Sequence, residues 1–267
     1  MNILFDEEYL NLELIKYTNF NNITDLKTSL KRLILDYSMD ILLPPDKIEN
    51  IIISNDGNFG LVVPNYQKPL KFNIWFSKYP ILFVYNSKLN KVLYGKSIIF
   101  HELQHCKEIL TASTKVDIKQ IDEPECYNLT NHYLYLGYHQ WSEYYAYFHS
   151  AFICPATIKS VDKYHDILKN IEIFKSYKPY DAIFVHETHY QINIEPFVRN
   201  AIILISHLKA GVNSDAERVL KEFISIDENI KIYFDKIIQI FDNFYQNYPQ
   251  NISYNNFIEL GKSLLTF

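Results

Sequence analysis

The sequence predicts an α+β protein, with a helical opening, a short block of strands and then helices to the end. Three observations carry this. Apolar residues between Asp25 and Leu43 recur at helical spacing. From Ile51 to Asn86 the texture changes to short β-branched and aromatic runs broken by Gly, Asn and Pro. After Asn86 the helical period returns, and beyond Ser160 it dominates.

The first helix is expected from Asp25 to Leu43, capped by Thr24, with Leu26, Leu30, Leu33, Ile34 and Tyr37 on its apolar side. Pro44-Pro45 ends it. Ile51-Ile52-Ile53-Ser54, the turn Asp56-Gly57-Asn58 and the run from Phe59 to Val63 read as a hairpin. Two further strands are expected, Lys71 to Ser77 and Ile81 to Asn86, punctuated by Pro69 and Pro80. A long helix follows from Lys88 to Leu110, then a polar loop from Thr111 to Tyr127 and a helix beginning near Trp141. Further on, Pro196 marks a helix start and Gly211 its end after Ala210. Ser214 with Glu217 is a capping-box signature, and an amphipathic helix runs from Asp227 to Tyr245.

Composition narrows the function. The chain has 267 residues, 48% apolar and 21% charged, enough for a large core. With 6 Gly and 10 Pro it is neither collagen-like nor a linker. A net charge of −5 argues against a nucleic-acid partner, which usually meets a basic face. No apolar run approaches the roughly 20 residues that span a bilayer, so no membrane partner is expected. The opening MNILFDEEYL lacks the basic and apolar regions of a signal peptide. Cys106, Cys126 and Cys154 are an odd set at unrelated spacings, which suits a reducing cytoplasm.

The chemistry sits in His101-Glu102-Leu103-Gln104-His105. On a helix, residues four apart share a face, so His101 and His105 can offer imidazole nitrogens to one Zn²⁺. Glu102 projects about 100° away, placed to act on a water as general base without binding the metal. Ile98, Ile99, Leu103 and Cys106 would bury the rest of the helix, with Cys106 a small hydrophobe rather than a nucleophile. A catalytic zinc usually takes three protein ligands and a water. Glu108 lies about 10 Å along the helix axis from His101, too far to share the site. Glu143, on the helix expected near Trp141 with small Ala146 one turn later, is the preferred third ligand. His139, Asp122, Glu123 and Glu125 are the alternatives.

On these residues the chain resembles the zincin metallopeptidases, specifically the gluzincins, in which a Glu on a later helix completes His-Glu-x-x-His. The resemblance implies a zincin-like catalytic core over residues 1–160, with a small mixed sheet and an active-site helix. A helical C-terminal subdomain over 161–267 would pack on it. It implies His101, His105 and Glu143 as zinc ligands, Glu102 as general base and a peptide or protein as substrate. It also implies that Lys71 to Ser77 is the edge strand that pairs with extended substrate, with Asn73 and Trp75 lining the cleft. Glu143, Ala146, Ala151 and Pro155 are similar to the third-ligand helix of ImmA/IrrE-type peptidases, with Tyr147 where those have Asn.

His186, His189 and Tyr190 sit in a polar stretch that reads first as a connection before the Pro196 helix, and otherwise as an oxyanion stabiliser, a substrate contact or a separate metal site. The isolated His132, His149, His165 and His207 read as structural or exposed rather than as ligands. The rival to the peptidase reading is a regulatory or effector protein on the same scaffold, whose mark would be a lost ligand or base. None is lost here.

Overall fold

The computed structural model describes residues 1–7, 9–55, 60–67, 69–126, 128–153, 195–211, 217–218, 220–222, 225 and 228–265. They belong to two compact units. One comprises Met1–Leu110 and His149–Ala156, and the other Thr111–Phe148 and Thr157–Phe267. The expected boundary at residue 160 lies outside the described residues. The class is α+β, with a small mixed sheet in a mostly helical chain.

The sheet of the first unit contains β1 (Asn2–Phe5), β2 (Ile48–Ser54), β3 (Gly60–Asn65) and β4 (Lys71–Ser77), in the order β1-β2-β4-β3. β1, β2 and β4 run parallel, and β3 pairs antiparallel with β4. Alternation sends Ile3, Ile51, Ile53, Phe72, Ile74 and Phe76 into the core. On the other face the register aligns Asn2, Asn50 and Asn73. Their amides form a ladder, Asn2 Nδ2 donating to Asn50 Oδ1 at 3.1 Å and Asn50 Nδ2 to Asn73 Oδ1 at 2.8 Å.

Two strand expectations are overturned. β2 and β3 do not form a hairpin, because β4 lies between them and pairs with both. The isoleucine-rich β2 thereby has a parallel partner on each side, as suits a continuous apolar run. The expected turn Asp56-Gly57-Asn58 lies outside the described residues. Residues 81–86 are not a strand, because α3 spans Lys78–Val84. Pro80 falls in its first turn, where a missing N–H costs little, and Pro80, Ile81 and Val84 are all buried.

Helices α1 (Tyr9–Tyr17), α2 (Ile23–Asp40) and α4 (Leu89–Ala112) also begin in this unit. The cap of α2 is Asn22 rather than Thr24: its Oδ1 accepts from the Asp25 N–H at 2.9 Å. The helix stops at Asp40, short of Leu43, and Leu42 turns left-handed at φ 58°. Leu43 then enters the core while its N–H donates to the Ser38 carbonyl at 2.8 Å. α4 matches the expected long helix. Gly95 brings it close to α3, since a Cβ there would sit 2.6 Å from the Pro80 carbonyl oxygen.

In the second unit the expected polar loop holds a short helix, α5 (Ile118–Asp122), capped by Asp117. α6 (Leu129–Ala151) begins well before Trp141, with Asn128 Oδ1 accepting from the Asn131 N–H at 2.9 Å. Gly137 lies inside this helix and is a contact point. A Cβ there would collide with the Phe257 carbonyl on α9 (Tyr254–Leu264), and one on Gly261 would collide with the Tyr133 carbonyl. α7 (Glu195–Ala210) has Pro196 in its first turn and ends at Gly211, φ 66°, as expected. α8 (Glu228–Gln246) buries Tyr233, Phe234, Ile237, Phe241 and Phe244. Trp141 packs on Phe244 at 4.5 Å and Tyr248 at 5.2 Å between ring centroids, and Tyr144 stacks on Phe241 at 4.6 Å. Ser214 of the expected capping box lies outside the described residues. Among those described, no helix is long and apolar enough to cross a membrane.

Gly137→Ala should destabilise the protein by about 1–3 kcal/mol, because the neighbour that must give way is backbone. A urea midpoint equal to wild type would contradict the close crossing. A second outcome concerns pH. Burial pushes the His149 imidazole down to about 4 from 6.5. The unfolded chain therefore binds a proton below pH 6.5 that the folded chain refuses until about pH 4. Stability should fall as pH drops through that window, by about 1.4 kcal/mol per pH unit from this group. In denaturant titrations without metal, His149→Gln should show a shallower slope against pH; an unchanged slope would count against a neutral imidazole shielded from water at this half-buried position.

Candidate metal centre

α4 sets His101 and His105 one turn apart. Their rings meet edge to face, with centroids 4.6 Å apart and planes at 85°, and the two Nε2 atoms are 3.0 Å apart. Two nitrogens on a tetrahedral zinc with bonds of about 2.0–2.1 Å would be about 3.4 Å apart. The pair is thus close to the spacing one ion requires. His101 is 8% exposed and Glu102 7%, so both sit in a largely desolvated setting.

Glu102 packs against β3. A Cβ on Gly60 would collide with Glu102 Oε1 and lie 2.6 Å from Cδ and Cγ. The carboxylate therefore occupies the space that any other residue at 60 would fill. Cys106 is fully buried, and burial first, then the Glu102 charge, push its thiol pKa well up. It stays a protonated hydrophobe, as expected.

Glu143 is the third member. One ligand atom from each of His101, His105 and Glu143 lies within 4.8 Å of the others. Two imidazoles and a carboxylate are a donor set that suits a catalytic zinc with an open fourth position. The same donors also suit other divalent transition ions, so the set alone does not select zinc. Glu143 Oε1 also lies 3.6 Å from Arg199 Nη2 on α7.

The alternative third ligands are placed otherwise. His139 Nε2 and Asp122 Oδ1 pair with each other at 3.0 Å. Glu123 is exposed beside Lys119, and Glu125 is exposed. The cleft role given to Asn73 and Trp75 is overturned with its premise, because Lys71 to Ser77 has paired strands on both sides. The Phe72 face of that strand is buried as expected, but among the described residues the edge strands are β1 and β3. His186, His189 and Tyr190 lie outside the described residues, as do Cys154, Pro155 and His165. His207 is buried and its Nδ1 is 2.8 Å from the Ile203 carbonyl.

Sequence alone singles out neither Gly60 nor Arg199. Gly60 reads as one residue of a strand, and Arg199 carries a signal only in the scarcity of arginine. If a Cβ at 60 meets Glu102, Gly60→Ala should cost about 1–3 kcal/mol of stability, and adding Glu102→Ala should recover most of it. Strictly additive losses in that double-mutant cycle would refute the contact. No protein-family model, curated protein or solved structure matches the chain.

Proposed function

We propose that the protein is a zinc-dependent peptidase built on a zincin-like core. The observation that carries the reading is the convergence of His101, His105 and Glu143 to within 4.8 Å, with Glu102 next to His101 in sequence. A bound zinc ion would supply Lewis acidity, lowering the pKa of a water to about 7 and polarising the carbonyl under attack.

The chain's own groups supply the rest. The two imidazoles and Glu143 would hold the ion. Glu102 takes a proton from the attacking water and returns it to the leaving amine. Its burial keeps bulk water away from that carboxylate and strengthens its electrostatic effect. A peptide substrate is favoured by β3, the last strand of the sheet among the described residues, whose first residue meets Glu102. An extended peptide added along its outer edge would pass the base, held by main-chain hydrogen bonds that are tolerant of sequence. Pro64 offers no N–H, which leaves the donors to the residues nearer Gly60.

Protein purified without added metal should hold about one zinc per chain by elemental analysis, and His101→Ala or Glu143→Ala should lose it. Glu102→Gln should keep the zinc while peptide hydrolysis falls by about two to four orders of magnitude. Failure to take up zinc on titration would end the reading. Full turnover in Glu102→Gln would remove that residue from the mechanism.

A further inference from the structure

We infer that Arg199 is a specificity residue of this centre and receives a carboxylate of the substrate beside the scissile bond; the inference rests on the peptidase reading. Arg199 Nη2 is 3.6 Å from Glu143 Oε1, and the arginine side chain is 53% exposed against 21% for the glutamate. The guanidinium is therefore anchored beside a proposed ligand while much of it faces solvent. Within about 6 Å of an ion held by that carboxylate, it is less than two residues of extended peptide from the reacting carbonyl.

The residue type adds to this. Only three of the 26 basic Lys and Arg residues are arginine. Arg32 is exposed, and Arg218 pairs with Glu222 one helical turn away. A lysine would offset the Glu143 charge equally well as a point charge. A planar fork does more, because it presents N–H groups along more than one edge and can face two carboxylates. The charge balance points the same way. A divalent ion on two neutral imidazoles is half neutralised by Glu143, and Arg199 adds another positive charge. The loaded centre stays cationic even with Glu102 ionised, so it attracts an anionic group. That group is either the free C-terminus of the residue after the scissile bond or an Asp or Glu side chain next to it.

The test uses zinc-loaded Glu102→Gln protein, which binds peptides with little turnover. Calorimetry compares three N-acetylated random tetrapeptide mixtures: free acids, C-terminal amides, and amides with Asp fixed at one position. The acids should bind at least about tenfold tighter than the amides if the C-terminus is read, and the Asp amides should do so if a side chain is read. Adding Arg199→Met should abolish the preference with zinc content and circular dichroism unchanged, and Arg199→Lys should restore part of it. Equal binding of all mixtures, binding of none, or a preference that survives Arg199→Met overturns the inference. Zinc content is measured first, so a protein that takes up no zinc fails the peptidase reading, and this inference with it, by a separate readout.

Discussion

The constraint on which the site depends is the burial of polar groups on α4. A helix buried all round is ordinarily apolar. Here His101, Glu102, Gln104 and Glu108 are buried on the same helix as Ile99, Leu103 and Cys106. Taking a charge out of water costs several kcal/mol unless partners compensate it. Such a helix is stable only where the surrounding elements bring those partners. The sheet of the same unit must supply enough apolar burial to offset the rest, which the isoleucines of β2 and the phenylalanines of β4 do.

Close approach around these helices is set by missing side chains. Gly60 leaves room for the Glu102 carboxylate, Gly95 for the backbone of α3, and Gly137 for a carbonyl of α9. None of these three glycines adopts a left-handed φ, so conformational freedom is not the reason for any of them. The reason is volume. An internal glycine costs a helix about 1 kcal/mol relative to alanine, and a close backbone crossing offsets that through dispersion contacts and excluded water.

What is legible in the sequence is local. The spacing of His101, Glu102 and His105, the extent of α4, and Gly211 after Ala210 all follow from rules that act within a few residues. The rest depends on partners far along the chain. Nothing near Ile51 says that β4 will come between β2 and β3, because strand order is set by backbone pairing between segments distant in sequence. Ile81 to Asn86 has an apolar run short enough for either strand or helix, and the first-turn proline settles it. The start of α6 is hidden because its tyrosines and Gly137 weaken the helical signal, whereas in the fold they are packing residues.

The aromatic cluster of the second unit fixes α6 within that unit. Trp141 and Tyr144 lie on the buried side of that helix, fixed by Phe241, Phe244 and Tyr248. Glu143 is two residues from Trp141, about 200° around the helix, and only partly buried. Locking one side of the helix therefore fixes the direction in which the carboxylate on the other side points. Large rings do this better than aliphatic chains, because they have few rotatable bonds and bury much area. The density of aromatic residues around Trp141, which in sequence looks like a compositional habit, thus fixes the rotation of the helix that carries Glu143.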